Sequence, residues 1–327
     1  MAAVSVVIPV YQAELSLREL YRQVVPAMEA LTPTFEVIFV EDCGVDDSWS
    51  IVESLAARDP RVTGIRLNRN YGQHNALLCG IRAARYEVIV SMDDDLQHPP
   101  MEIGKLLAAL TPDIDVVYGA PTQQQHGLLR NLASRITKLA LSRAMGAETA
   151  RNVSAFRAFR TRLRDGFDDY RSPSVSIDVL LTWVTTKFAT VRVAHQKRLA
   201  GTSGYSVGKL LSHAINLMTG FSTLPLQVAS ILGFAFVLLG VLVMGYVLVN
   251  YLIHGAAVPG FAFLASIITI FSGAQLFTLG VFGEYLARMH FRSMDRPAYV
   301  VRERTTGAHD PLVASLRVSD AGDPADV

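Results

Sequence analysis

The stretch YEVIVSMDDDLQHPP, residues 86–100, decides the fold class. Its first half is a short β-branched apolar run of strand length, and its second half is three consecutive carboxylates followed by turn-forming residues. The same pattern recurs upstream. VSVVIPV (4–10) precedes a helix-compatible stretch from Glu14 to Ala30, and FEVIFVED (35–42) ends on two acids. Ser48 to Arg58 suits a helix, VTGIRL a strand, His74 to Ala84 a helix, and DVVYGA (115–120) a further strand. Runs that are apolar on both faces and alternate with helices predict an α/β, Rossmann-like domain with a mostly parallel sheet covered on both sides. Ligands of such sheets gather beyond the carboxyl ends of the strands. Glu41 with Asp42, and Asp93 to Asp95, are therefore expected around one crevice.

The acidic cluster points to a cation. Magnesium is usually held by one or two carboxylates together with substrate phosphates. Asp93, Asp95 and Gln97 occupy alternate positions, and in an extended segment alternate side chains share a face. Three oxygen ligands would then meet one divalent ion, Mg²⁺ or Mn²⁺. Three neighbouring carboxylates also repel one another, which makes their burial costly unless a cation is present. An acid-rich surface turn is the alternative, and the apolar strand EVIVSM leading into the cluster argues against it.

Composition narrows the function classes. The 327 residues are half apolar with a net charge of +1, which supplies no broad basic field for nucleic acid. Two cysteines, Cys43 and Cys79, have neither metal-site spacing nor a disulfide framework, and they read as small buried hydrophobes of a reducing compartment. MAAVSVVIPVYQ lacks the basic start and long apolar core of a secretory signal. From Leu210 to Gly283 there is no Asp, Glu, Lys or Arg. This places a composition boundary near residue 205.

Beyond that boundary, residues 225–253 and 261–286 are each long enough to cross a bilayer as a helix. Lys197, Arg198 and Lys209 precede the first, Arg288, Arg292 and Arg296 follow the second, and the intervening HGAAVPG has no strong cation. The positive-inside rule then predicts a two-helix hairpin with the catalytic domain and both termini cytoplasmic. The expected organisation is a catalytic domain over 1–205, an interfacial amphipathic helix over 206–223, the hairpin over 224–290, a cytoplasmic segment over 291–304, and a polar, aperiodic, disordered tail over 305–327. HGLLRNLASRITKLALSRAMG (126–146) carries basic residues at helical spacing and suits a membrane surface.

Several motifs taken in order resemble a known family. VVIPVYQ (6–12), VED (40–42) followed by DDS (46–48), NRNYGQHNALLCGI (68–81) and DDDLQHPP (93–100) are similar to the core of family 2 glycosyltransferases, which have a GT-A fold. HQKRLAGTSGY (195–205), FSTLPL (221–226), and GEYLARM (283–289) followed by RPAYVVRE (296–303) resemble the polyprenyl-phosphate branch. That branch includes dolichyl-phosphate mannose synthase and bacterial undecaprenyl-phosphate sugar transferases. Together these motifs span about residues 4 to 303. No Q-x-x-R-W occurs, which disfavours a processive polysaccharide synthase.

The resemblance implies an inverting, metal-dependent transferase moving a sugar from a nucleotide diphosphate donor to a polyprenyl phosphate, with NRNYGQHNA favouring UDP over GDP. It implies that Pro9, Tyr11, Glu14 and Asp42 line the nucleotide pocket, that Asp93 and Asp94 approach the ribose or diphosphate, and that Asp95 and Gln97 hold the metal. Arg130 and Ser134, four residues apart and so on one helix face, match an acceptor-phosphate pair. Arg157 and Arg198 match positions for diphosphate or acceptor. Asp93, Asp95, Arg130, Ser134 and Arg157 are the catalytic candidates, and relatives of this kind can form homo-oligomers.

The chain also departs from the pattern. Pro121 and Thr122 replace a frequent Arg, Asn152 and Ala155 replace acids, and Gly204 replaces a frequent Lys. His74 reads as a structural histidine or a donor contact, and Trp49 and Trp183 as core or interface aromatics. Transfer to a lipid hydroxyl or membrane glycan, and a non-catalytic membrane scaffold, are the competing readings. The first would need a general base, which the sequence does not show outside the acidic cluster.

Overall fold

The computed structural model describes residues 2–121, 153–172, 175–196, 224–254, 260–294 and 296–305. They fall into two compact units: 224–254 with 260–294 form one, and the remaining described residues form the other.

The first unit is built in chain order from β1 (Val4–Val10), α1 (Leu17–Leu31), β2 (Phe35–Glu41), α2 (Ser48–Arg58), β3 (Val62–Leu67), α3 (Gln73–Ala83), β4 (Val88–Ser91), α4 (Ile103–Ala109), β5 (Val116–Pro121), β6 (Arg157–Arg160), α5 (Ile177–Val184) and β7 (Phe188–Val193). An eighth strand, β8 (Val301–Arg304), comes from the far end of the chain. Among the described residues the strands form one eight-stranded sheet, ordered β7-β5-β6-β4-β1-β2-β3-β8.

Burial explains why these runs are strands. Every residue of β1 and β2 is buried, so both faces of the sheet centre are covered. Burying a Val, Leu or Ile side chain contributes about 1.5–3 kcal/mol, and the β-branched residues pack well on a pleated surface. Strands β4, β1, β2 and β3 run parallel, with Val4 opposite both Phe35 and Val88. Helix α1 buries Leu17, Leu20, Val24, Ala27 and Met28, which recur at helical spacing and make one stripe against the sheet. Helix α3 crosses β1 and β2 at Gly80, where an added Cβ would sit 2.4 Å from Val7 Cγ1 and 3.0 Å from Val40 Cγ2.

The sheet is mostly parallel, as the sequence predicts, with two exceptions. Strand β6 is wedged antiparallel between β4 and β5, and β8 pairs antiparallel with β3 along the sheet edge. The strand ending in the acidic cluster is shorter than YEVIVSMDDD suggests. It stops at Ser91, and residues 94 and 95 lie in a turn. Leu96 has a left-handed φ of 59°, so Asp93 to Gln97 is not the extended segment on which the shared face was argued. The turn wins because buried Leu96 is drawn into the core.

The second unit contains α6 (Leu224–His254) and α7 (Phe261–Ser293), which touch through an edge-to-face pair of Phe236 and Phe271, 5.9 Å between ring centroids. Among the described residues, one helix is long and apolar enough to cross a membrane, over Leu226–Ile253. Its large apolar side chains, including Ile231, Phe234, Leu242 and Met244, are exposed, unlike those of a core helix. The stretch 126–146, the segment 206–223 and the tail beyond Thr305 lie outside the described residues.

Candidate functional site

The loops leaving the carboxyl ends of β1, β2 and β4 converge on a cavity of about 660 Å³. Each of these loops carries one non-glycine residue in the left-handed region: Gln12 (φ 53°), Cys43 (φ 53°) and Leu96 (φ 59°). Such residues cost about 1–3 kcal/mol each and tend to cluster where function fixes the backbone.

The loops are stitched together by side chains. Tyr11 N donates to Asp94 Oδ2 at 3.0 Å, which joins the first and fourth strand ends. Ala13 N donates to Ser48 Oγ at 2.9 Å, Glu14 N to Asp46 Oδ2 at 3.1 Å, and Asp47 N returns a bond to Glu14 Oε2 at 3.2 Å. Asp42, buried at the end of β2, accepts from Tyr71 N and Gly72 N, both at 2.7 Å. Gly72 has φ 95°, open to glycine without penalty, and this turn delivers Gln73, whose Nε2 donates to Asp93 Oδ1 at 2.5 Å.

Charge is the distinctive feature. Among the described residues, the lining includes Glu14, Asp42, Asp46, Asp93, Asp94 and Asp95, and no Lys, Arg or His. Burial, followed by repulsion from Asp93 and Asp95, pushes the Asp94 carboxyl up to about 7 despite the bond from Tyr11. Burial and the nearby Glu41 raise Asp42 against the bonds from Tyr71 and Gly72. Glu41 is raised by burial, although it accepts from Arg66 Nε at 3.1 Å and from Gly44 N.

A divalent cation fits this donor set. The oxygens are hard ligands, and among the described residues no cationic side chain lines the cavity to offset their mutual repulsion. Among the described residues no group of three or more His, Cys, Asp or Glu side chains is placed to hold a metal ion by itself. An ion here would therefore complete its shell with substrate oxygens, as magnesium commonly does.

The sequence candidates do not all meet here. Pro9, Tyr11, Glu14, Asp42, Asp93, Asp94 and Asp95 line the cavity. Gln97 is not among its lining residues: its N–H donates to Asp95 Oδ1 at 3.0 Å and its carbonyl accepts from Gln196 N at 2.8 Å. That second bond brings His195 and Gln196 against the segment after the acidic cluster, and His195 meets His98 edge-on at 5.1 Å. His98 also stacks on Phe156 at 5.2 Å, and burial, then His195, lowers its pKa to about 4.

Arg157 is not presented to a ligand. It is 1% exposed, its Nη1 donates to Asp178, and its Nε donates to Ser91 Oγ at 3.0 Å, while Tyr118 OH donates to the same Asp178 oxygen at 3.0 Å. The sequence could not separate a buried pairing arginine from a phosphate-binding one, since the partner lies in a distant helix. His74 accepts through Nδ1 from Ile177 N at 3.3 Å, which fits the structural reading. Trp49 belongs to the core, whereas Trp183 is exposed beside Tyr170. Cys79 is buried and its thiol is pushed up to about 12 by that burial, while Cys43 is partly exposed. Arg130, Ser134, Arg198, Thr122, Asn152 and Gly204 lie outside the described residues. Asp46, Ser48 and Gln73 were given no role by sequence, although DDS and the polar start of α3 carried the signal.

A family model described as glycosyl transferase family 2 matches residues 5–170. The undecaprenyl-phosphate 4-deoxy-4-formamido-L-arabinose transferase of Pseudomonas paraeruginosa is 35% identical over 317 residues, 96% of this chain and 94% of the relative. The protein of the same name from Shewanella sediminis is 34% identical over 320 residues, 97% and 96% of the two chains. Among solved structures, glucosyl-3-phosphoglycerate synthase from Mycobacterium tuberculosis in complex with Mn²⁺, UDP and glucosyl-3-phosphoglycerate superposes with a TM-score of 0.52. That alignment has 17% identity and covers 67% of this chain and 79% of the other, so it speaks to the fold.

Proposed function

Since this chain belongs to glycosyl transferase family 2 and has a GT-A-like α/β fold, we propose that it transfers a sugar from a nucleoside diphosphate, preferably uridine diphosphate, to the phosphate of undecaprenyl phosphate. The observation that carries the donor half is the cavity at the strand ends, lined among the described residues by six carboxylates and no cationic side chain. The acceptor half is supported by relatives of that named activity, similar along nearly the whole chain.

Asp93 and Asp95 would hold a divalent cation, which when bound supplies Lewis-acid stabilisation of the departing diphosphate. The chain's own groups do the rest. Pro9, Tyr11 and Glu14 line the nucleotide side of the cavity, and Asp42 fixes the Tyr71–Gly72 turn from which Gln73 reaches Asp93. Arg130 and Ser134 receive the acceptor phosphate, and Arg198 neutralises the diphosphate. A phosphate monoester has its second pKa near about 6, so at neutral pH it is largely dianionic and attacks without first losing a proton. One of its oxygens bonds to the anomeric carbon as the bond from that carbon to the diphosphate breaks, in line and with inversion. Arg157, buried against Asp178, acts by positioning.

Helix α6 spans the membrane in this reading, and α7 returns the chain as the second arm of a hairpin, with the catalytic unit and both termini cytoplasmic. This puts a cytoplasmic sugar nucleotide and a membrane-borne phosphate within reach of one enzyme. The test is transfer from a panel of labelled nucleotide sugars by protein in vesicles, with undecaprenyl phosphate or diacylglycerol as acceptor, with and without EDTA. The expected result is EDTA-sensitive transfer to the polyprenyl phosphate. Labelling of the glyceride alone, or full activity after chelation, would overturn the reading.

A further inference from the structure

The second feature of the cavity is what supports its floor from behind. After α7 the chain re-enters the first unit as residues 298–305, which lie as a strap along α3 and the edge of β3. The strap is tied at both ends and in the middle. Asn75, 5% exposed on the first turn of α3, donates through Nδ2 to Ala298 O at 2.7 Å. Asn68 N donates to Val300 O at 2.9 Å. Between them, the Tyr299 ring lies under the Arg82 guanidinium, 5.7 Å from its centroid, and its hydroxyl meets the Cys79 thiol. Strand β8 then pairs with β3, Arg66 bridges Glu303 at 3.1 Å and Glu41 at 3.1 Å, and Thr305 N donates to Gly64 O at 2.9 Å.

Those contacts bracket one short piece of chain. Asn68 and Asn75 flank the turn whose N–H groups are clamped by Asp42 and whose Gln73 reaches Asp93. The turn is thus held from the cavity side by Asp42 and from the opposite side by the strap. Gly72 stands between the two clamps at φ 95°, where backbone freedom is greatest.

We infer that the strap positions the acidic cluster: Asn75 and Tyr299 hold the Asn68–Gln73 turn so that Gln73 fixes Asp93 for the cation and the donor diphosphate. Neither residue touches substrate in this scheme. Both act through Gln73. The inference rests on the metal-and-nucleotide reading of the cavity given above.

The experiment measures binding of UDP with MnCl₂ by calorimetry, and donor KM and kcat, for full-length wild type, Asn75→Ala, Gln73→Ala and the double variant. Loss of one buried hydrogen bond that orients a charged ligand corresponds to about a five- to tenfold weakening. Asn75→Ala and Gln73→Ala should each weaken UDP–Mn²⁺ binding and raise donor KM by that factor, with kcat at saturation within about twofold. The double variant should be no weaker than either single one, because both act on one contact. Additive losses, or an Asn75→Ala protein that binds as wild type does, would overturn the inference. If Asn75→Ala does not fold, Tyr299→Ala loosens the strap farther from the turn and must show the same non-additivity with Gln73→Ala, whereas Tyr299→Phe, which keeps the ring under Arg82, should restore most of the binding. A wild type that binds neither UDP nor Mn²⁺ would instead sink the functional reading itself.

Discussion

Replacing Arg157 with Met should cost far more in folding than its single position suggests. Its guanidinium is 1% exposed and its partner Asp178 has a side chain 10% exposed, so both charges sit out of water. With the arginine gone, the Asp178 carboxylate keeps only the Tyr118 hydroxyl among the hydrogen bonds of the described residues, and Ser91 loses its donor from Nε. Breaking a buried pair by removing one partner costs about 3–5 kcal/mol, because the remaining charge is left uncompensated. For a unit of this size each kcal/mol moves Tm by about 2–4 °C, so Arg157→Met should lower Tm by about 6–20 °C. The assay is thermal unfolding of detergent-solubilised protein followed by circular dichroism. The triple variant Arg157→Met, Asp178→Leu, Tyr118→Phe removes both charges and the phenol, leaves Ser91 its bond to Ala155 O at 3.0 Å, and should recover at least half of the loss, since apolar replacements of buried pairs are often neutral. A fall of less than about 3 °C in the single variant, or no recovery in the triple one, would refute the argument that uncompensated burial is the cause.

Three other outcomes follow from the site and the core. Asp95→Asn should abolish Mn²⁺-dependent UDP binding and lower transfer by at least about 100-fold with Tm within about 2 °C, because a cavity lining acid is lost and no core contact is; calorimetry and the vesicle assay read both. Asp94, whose carboxyl burial raises to about 7, favours its neutral form in the folded state, so metal-free protein should lose stability as pH rises from about 4 to about 7. Asp94→Asn should flatten that decline, and apparent Mn²⁺ affinity of the wild type should climb over the same window, as titration of Tm and of metal binding will show. Gly80→Ala should destabilise the protein by about 1–3 kcal/mol, read as a lower urea midpoint at unchanged m, since its Cβ would press on Val7 and Val40.

Much of the first unit was legible in the chain. The segments 48–58 and 62–67 coincide with α2 and β3, and α3 lies within one residue of the reading, because their apolar spacing is local and each buries its own stripe. Strands β6 and β8 escaped because their signal is not local. RAFR places two arginines around a two-residue apolar centre and its Arg157 finds its counter-charge in α5, while VRER is an edge strand whose exposed alternate residues look like ordinary polar chain. The acidic cluster was found, yet its alternating face was not, since the left-handed Leu96 is imposed by burial beneath the turn and no spacing rule foretells it.

The alternation of strands and helices from β1 to β4, the acids at strand ends and the apolar stretch of α6 were thus determined by the sequence alone, because each depends on side-chain chemistry repeated within a few residues. Tertiary structure decided which carboxylates share a cavity, that Arg157 is locked away against Asp178, and that residues 298–305 brace the turn carrying Gln73. Those outcomes depend on contacts between positions far apart in the chain, where the free energy of burial and of hydrogen bonding is settled only once the sheet has assembled.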